Sequence, residues 1–517
     1  MMQGGAVETG LRRDGERSLV AVAVAVLFVA ALLLRLHRLG DADFSGDETD
    51  LWRYVIDGVP SPQEPPLPRI VTRLWLELVR DDGNAVVRFP AAVAGALTVV
   101  GTLFLGRALA GLPAGIFAAF VLCVHPFAIA WSQRLRPYGI LGLLTVLSLL
   151  AYLGARRRRT PGAIALLAAT LALTTASHAL GALMVGAIVL DSVLRMLGRV
   201  RKQRPWMEAA RTEGPVLIGS ALGMLGLVWT AFRPNVASVA TPTPLSRFPG
   251  VLTDISRILA GTLDSADPQL AFATTVVVTW GVLFGAATLW REESSEKGGR
   301  ALVLAGGLVV LLVAATLGTK ASFGAREWSR YVSNAIPLVA IAMGAALARV
   351  PSVRARAAVA VLGVAIASAS TLGGWSRAGA GGRLLSQFAA SVKEQEPGLR
   401  GVLVVGQRWW VERWAINYFR LRQDDLPGYT LSPHEPPRLV RAVPKTSTAV
   451  FRLARPFGAV AGSMPSGTYA VLSQSSEGCA ALLQIAPERV QSSHKVREPG
   501  ASRNRYGVCE VTFFSTP

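Results

Sequence analysis

The feature that most constrains this chain is a series of apolar blocks free of Asp, Glu and Lys: residues 18–34, 91–106, 139–153, 162–176, 215–232, 271–290, 301–317, 335–347 and 357–372. The surface helix of a soluble domain interleaves its apolar stripe with polar positions every few residues, and these blocks do not. Where charge abuts them it is usually arginine, as at Arg35, Arg107, Arg233, Arg291 and Arg356. A bilayer core takes about 20 residues of helix. Composition agrees: 17% of the residues are charged, against about a quarter in soluble proteins. The expected fold class is a polytopic α-helical membrane protein.

A net charge of +20 raises nucleic acid as a partner, because basic chains bind phosphate backbones. The distribution excludes it. Much of the charge lies in short loops between apolar blocks, at Arg156 to Arg159, at Arg195, Arg199, Arg201, Lys202 and Arg204, and at Arg349, Arg354 and Arg356. This is the positive-inside pattern of cytoplasmic loops. Residues 1–17 carry Arg12, Arg13 and Arg17 before an apolar run, which resembles a secretory signal. The run ends in Arg35-Leu-His-Arg38 without an A-x-A site, so it reads as an uncleaved first span after a cytoplasmic tail.

The spacing predicts eleven spans, at 18–36, 85–106, 113–131, 138–154, 160–177, 179–196, 215–232, 270–290, 300–318, 331–348 and 357–374. With the N-terminus inside, the basic loops fall inside, and the loops 37–84, 132–137, 233–269 and 319–330 fall outside. The membrane domain is then 18–375. The segment 380–517 changes character, with turn residues bounding alternating runs at Gly401–Gly406, Gly467–Leu472 and Tyr506–Phe514. Such runs read as strands, with a helix at Val411–Leu421, and together as a C-terminal extracytoplasmic α/β domain. Cys123 lies in a span, whereas Cys479 and Cys509 fall in the outer domain. An oxidising compartment favours a bridge between those two, against two separate buried thiols.

No Walker A, GxGxxG or CxxC pattern occurs, so the chemistry falls to polar residues at the outer surface. The first outer loop is acidic, with Asp41, Asp43, Asp47, Glu48, Asp50 and Asp57. Phe44-Ser-Gly-Asp-Glu48 sets two adjacent carboxylates after a glycine, placed for general-base work or simply for keeping the loop in water. Residues 69–80 read as an amphipathic helix with Ile70, Leu74, Trp75 and Leu78 on one face, lying in the interface plane. Arg134 and Arg136 precede Tyr138, and Lys320, Arg326, Arg330 and Tyr331 precede a late span. Cations on the outer side run against the topology rule. They either snorkel or bind a phosphate, which guanidinium matches in fork geometry. His178, between the fifth and sixth spans, is either a structural hydrogen-bonding residue or part of the same site.

Five segments together resemble the GT-C superfamily, specifically bacterial relatives of dolichyl-phosphate-mannose protein mannosyltransferases and lipid A aminoarabinose transferases. They are Arg35 to Leu39 with Phe44 to Glu48, Glu64 to Leu67, Arg88 to Val100, Arg134 to Tyr138, and Ser177-His178, within a likeness over about residues 30–350. The resemblance implies an inverting transferase that moves a sugar from a polyprenyl-phosphate donor to a lipid, protein or glycan acceptor at the outer face of a bacterial cytoplasmic membrane. It implies Asp47 as base, with Glu48 beside it, and Arg136 with Tyr138 and Arg330 with Tyr331 binding substrate; Arg134 and His178, at the same outer surface, are further substrate-binding candidates. No cofactor is required, although two hard carboxylates leave room for a divalent ion. Many relatives carry Lys before the loop-one Pro-Pro where Glu64 stands here, which removes one cation from that loop.

Two other classes compete with an enzyme. A flippase for lipid-linked glycans would also want cations, but it needs ionisable groups within its spans, and Asp191 is the main one here. A non-catalytic envelope-assembly protein would have no use for the loop-one carboxylates. The topology has a direct test. A cysteine introduced at Ser475 should react with an impermeant thiol label in intact cells. Protection until the membrane is opened would place the C-terminal domain inside.

Overall fold

The computed structural model describes residues 4–57, 65–226, 248–262, 268–291, 299–318 and 330–358, the single positions 361, 390 and 394, and six strands between residues 401 and 516. The chain divides into two compact units. One comprises Met1–Leu39, Pro65–Asp81 and Val87–Trp375, and the other Gly40–Glu64, Asp82–Val86 and Ser376–Pro517. The acidic stretch of the first outer loop thus groups with the C-terminal segment. Most of the expected span 357–374, together with Lys320, Arg326, Glu64, Cys479 and the helix at 411–421, lies outside the described residues.

The first unit is helical. Its elements are α1 (Gly4–Leu36), α3 (Pro66–Val79), α4 (Asn84–Ala110), α5 (Leu112–Val124), α6 (Pro126–Ser132), α7 (Tyr138–Arg158), α8 (Pro161–Ser177), α9 (Gly181–Arg201), α10 (Trp206–Gly223), α11 (Phe248–Leu259), α12 (Pro268–Arg291), α13 (Gly299–Gly318) and α14 (Ile336–Ala348), the start of α4 belonging to the second unit. Among the described residues, six helices are long and apolar enough to cross a membrane, or seven if a bent pair is one span. The protein is a multi-pass membrane protein. Lipid-facing rows remain apolar, as with Val22, Val26, Val29 and Leu33 on α1, because the solvent there is hydrocarbon.

The expected third span, 113–131, is not continuous. It is bent by 62° between α5 and α6. Pro126 has no N–H to continue the ladder, so α6 starts afresh with His125 as its N-cap, accepting from the Ala128 N–H at 3.4 Å. The expected seventh span, 215–232, also shifts. Helix α10 begins at Trp206, inside what read as a basic loop, and carries Glu208, Arg211 and Glu213 in its first half. Salt bridges Arg204–Glu208 at 2.6 Å and Arg199–Glu213 at 3.6 Å neutralise two of those charges. The expected amphipathic helix appears as α3, with Leu74 and Leu78 exposed and Trp75 stacked on Phe89 at 5.0 Å.

Asp191, fully buried on α9, is held within the bundle. It accepts from the Tyr152 hydroxyl and from Arg195 Nε at 2.8 Å, with Arg156 at 3.9 Å. The cluster ties α7 to α9.

The second unit contains α2 (Gly46–Asp57) and a six-stranded mixed sheet of order β3-β2-β1-β4-β6-β5. Strands β1 (Gly401–Val405), β2 (Gly428–Leu431), β3 (Arg452–Leu453) and β4 (Gly467–Ser473) run parallel, whereas β6 (Cys509–Thr516) is antiparallel to β4 and to β5 (Val490–Val496). Val402 to Val405 register against both Gly428–Leu431 and Ala470–Ser473, so β1 is a central strand, as its unbroken Val/Leu run suits.

Close packing in the first unit depends on small residues, as membrane helices generally require. At Gly115, where α5 crosses α4, a Cβ would collide with the Leu103 carbonyl oxygen and lie 2.7 Å from the Arg107 nitrogen. Backbone atoms do not step aside. Gly115→Leu should therefore lower stability by at least the ~1–3 kcal/mol typical of overpacking. Gly154→Leu, where nothing lies within 4 Å, is the control. Equal melting temperatures for the two solubilised variants would show that the crossing tolerates expansion.

Candidate functional site

The site is built at the end of α1. Arg88 NH1 donates to the Leu39 carbonyl at 3.1 Å, and Gln133 Nε2 donates to the carbonyls of Arg35 at 3.1 Å and His37 at 2.8 Å. They are carbonyls of the last turn of α1 and of the turn that follows it, where the helix leaves acceptors without partners. Arg35 itself, 1% exposed, donates to Ala31 O at 3.1 Å and to Cys123 O at 3.5 Å, the second on the broken span. The end of α1, the break and the segment 133–137 are thereby fixed together.

From that segment the chain turns tightly, with Arg136 N–H on Arg134 O at 2.8 Å, and α7 begins at Tyr138. Tyr138 is the hub. Its ring lies 5.3 Å from Trp131, 5.5 Å from His178 and 6.5 Å from Tyr331, the Trp131 and Tyr331 contacts being edge-on. Edge-to-face geometry is what ring quadrupoles prefer at such distances. Each neighbouring cation rests on one of these rings. Arg134 lies 4.8 Å from the Trp131 centroid, Arg330 4.9 Å from Tyr331, and Arg136 6.0 Å from Tyr138. Ser333 Oγ donates to Arg330 O at 2.7 Å and holds that turn.

His178 ends α8 with an extended backbone, and its Nδ1 accepts from the Leu180 N–H at 3.0 Å. An acceptor Nδ1 puts the neutral ring's proton on Nε2. Burial, and then the charges of Arg136 and Arg330, push its pKa down to about 3. The cluster therefore offers two guanidinium groups and a neutral N–H donor beside an aromatic floor. That donor set suits a phosphate and repels a cation.

The structure brings together Arg134, Arg136, Tyr138, His178, Arg330 and Tyr331. Trp131, Gln133, Arg88 and Ser333 carry the same site but were not singled out in sequence. A Trp or Gln at a helix end reads as interface belt or cap, so no local signal marked them.

The carboxylates sit in the second unit, on the first turn of α2. Ser45 N–H donates to Glu48 Oε2 at 2.9 Å, and Thr49 N–H to Ser45 O at 2.9 Å. Glu48 is 2% exposed, while Phe44 packs edge-on against Trp52 at 5.9 Å. Glu48 thus closes half of a capping box, and Asp47 stands half-buried one position earlier. Among the described residues no three His, Cys, Asp or Glu side chains converge as metal ligands.

Residues 63–225 match the family model described as dolichyl-phosphate-mannose-protein mannosyltransferase. The solved structure of ArnT from Cupriavidus metallidurans in the apo state is 14% identical with a TM-score of 0.60, covering 95% of this chain and 98% of that one. The chain has the GT-C fold. ArnT bound to undecaprenyl phosphate is likewise 14% identical, with a TM-score of 0.57 over 94% of this chain and 97% of that one. The Archaeoglobus fulgidus oligosaccharyltransferase in the apo form is 13% identical, with a TM-score of 0.46 over 77% of this chain and 64% of that one. No curated protein sequence matches.

Within this GT-C bundle the family match takes in Arg134, Arg136, Tyr138 and His178, while Asp47 and Arg330 lie on either side of it. The depressed pKa of His178 makes the cluster sensitive to acid. The folded protein refuses a proton that the unfolded chain binds near pH 6.5. Stability is full above pH 6.5 and falls as pH drops from there towards about 3. His178→Gln should flatten that slope in thermal unfolding between pH 7 and pH 5. Parallel slopes for variant and parent would remove the histidine from the explanation.

Proposed function

We propose that this protein is an inverting glycosyltransferase that takes a sugar from a polyprenyl-phosphate donor at the outer face of the cytoplasmic membrane. The observation that carries the proposal is the convergence of Arg136 and Arg330 on the neutral His178 beside Tyr138 and Tyr331. Such a cluster recognises a phosphate, and the bundle around it provides hydrocarbon for an isoprenoid tail. The ArnT structure that holds undecaprenyl phosphate has the same fold, which supports a carrier of that class.

In the proposed step an acceptor hydroxyl or amine attacks the sugar C1. The C1–O bond to phosphate breaks, and its electron pair leaves with the polyprenyl phosphate. The acceptor proton passes to the Asp47 carboxylate. Arg136 and Arg330 neutralise charge developing on the departing phosphate, and the Nε2–H of His178 donates to it. Arg134, set on Trp131, adds to the positive field. Phosphate is a competent leaving group, so the protein's work is positioning and charge stabilisation, and no metal enters the step. The acceptor is a lipid, protein or glycan.

Transport is the less favoured reading. Asp191, an acid buried in the spans, is engaged by Tyr152 and Arg195, as a clamp between helices would be.

Two variants test the two roles separately. Asp47→Asn keeps size and hydrogen bonding but accepts no proton, so kcat should fall about 10²–10⁴-fold while donor binding survives. Arg136→Ala should raise the donor KM, and Arg136→Lys should recover part of it because it restores charge without the fork. Parental turnover in Asp47→Asn would reject the base. Unchanged donor kinetics in both Arg136→Ala and Arg330→Ala would return those arginines to snorkelling.

A further inference from the structure

His125 is a buried imidazole, 4% exposed, that the proposed chemistry does not use. It stands at the break between α5 and α6, and both ring nitrogens are engaged. Nδ1 accepts from the Ala128 N–H at 3.4 Å, while Nε2 lies 3.2 Å from the Leu259 carbonyl oxygen. A carbonyl only accepts, so Nε2 carries the proton, and a single neutral tautomer serves both bonds.

Leu259 is the last residue of α11, whose closing carbonyls have no partners within their own helix. The next turn supplies some, with Thr262 Oγ1 on Arg257 O at 3.3 Å and Gly261 N–H on Ile258 O at 3.0 Å. His125 supplies the donor for Leu259. The approach is tight, because Gly261 has φ +72° and a Cβ there would stand 3.0 Å from Pro126 Cδ. From α11, Ile255 and Ile258 are buried in the same apolar cluster as Phe127, Trp131 and Tyr138.

We propose that His125 is a positioning residue that clips the C-terminal turn of α11 to the broken span and so holds α11 against the aromatic cluster that receives the carrier. The clip stands on its own geometry, and its service to the carrier rests on the function proposed above. Two substitutions separate the two bonds. His125→Asn keeps a good N-cap for α6 but is too short for Leu259. His125→Gln reaches outward to Leu259 and gives up the cap.

The measurement is hydrogen–deuterium exchange over residues 250–260 of the full chain in nanodiscs, with undecaprenyl phosphate binding followed in parallel. His125→Asn should speed exchange in α11 and weaken binding about 3–10-fold, the size of one lost hydrogen bond, at a near-parental melting temperature. His125→Gln should melt lower yet keep parental exchange in α11 and parental affinity. Unchanged exchange in His125→Asn overturns the clip. Faster exchange with unchanged affinity overturns its service to the carrier. A parent that fails to bind undecaprenyl phosphate at all strikes the proposed function, and the exchange data then judge the clip alone.

Discussion

The bundle depends on a cation buried where hydrocarbon should be. Arg35 is 1% exposed, and among the described residues its hydrogen bonds go to backbone carbonyls, Ala31 O in α1 and Cys123 O in α5. Burying a charge is costly unless dipoles or counter-charges compensate it. Here the C-terminal ends of two helices converge on one guanidinium, each with about half a negative charge of macrodipole. The arrangement also solves a second problem. Pro126 interrupts the third span and frees carbonyls that lipid cannot satisfy, and Arg35 takes up one of them. The break becomes tolerable because the arginine is there, and the arginine becomes tolerable because of the break.

The same logic separates two clusters that look alike in composition. At Asp191, Arg195 and Arg156 meet a carboxylate, so one of the two positive charges is cancelled and the result is a clamp. At His178, Arg136 and Arg330 meet an imidazole whose pKa is lowered first by burial and then by their charges. The ring stays neutral, and with Nδ1 accepting from the Leu180 N–H it presents one N–H donor. A protonated His178 would be a third cation in one small volume. Burial and that repulsion act in the same direction, and both hold the ring neutral.

Much of this was legible in the sequence, for identifiable reasons. Apolar blocks mark spans because bilayer thickness fixes helix length. Arg136 and Arg330 stood out because they oppose the inside-positive bias. Their convergence on Tyr138 and His178 was not legible, since nothing local links residues so far apart in the chain. The bend at His125-Pro126 was missed because apolar composition reads straight through a proline that neighbouring side chains accommodate. Among the strands, β1, β4 and β6 showed Val- and Leu-rich alternation, while Val490–Val496 reads Val-Gln-Ser-Ser-His-Lys-Val. A polar strand of that kind is recognised only once β6 lies beside it.

The two adjacent carboxylates of α2 show how a local rule can divide equal chemistry. Ser45 and Glu48 stand three apart, the spacing of a capping box, and Glu48 accepts the Ser45 N–H at 2.9 Å. That bond fixes where the helix starts, and a fixed start fixes the direction of every residue in the first turn. Neighbouring positions on a helix differ by about 100°, so anchoring Glu48 also aims Asp47. One carboxylate is thereby a structural acceptor, and the other, Asp47, stands in the first turn at the positive end of the same helix. The N-terminal dipole favours the ionised form of any acid there, and a base must be ionised before it can accept a proton. Glu48 therefore acts through geometry, since by anchoring the first turn it sets the direction of Asp47, the base of the proposed reaction.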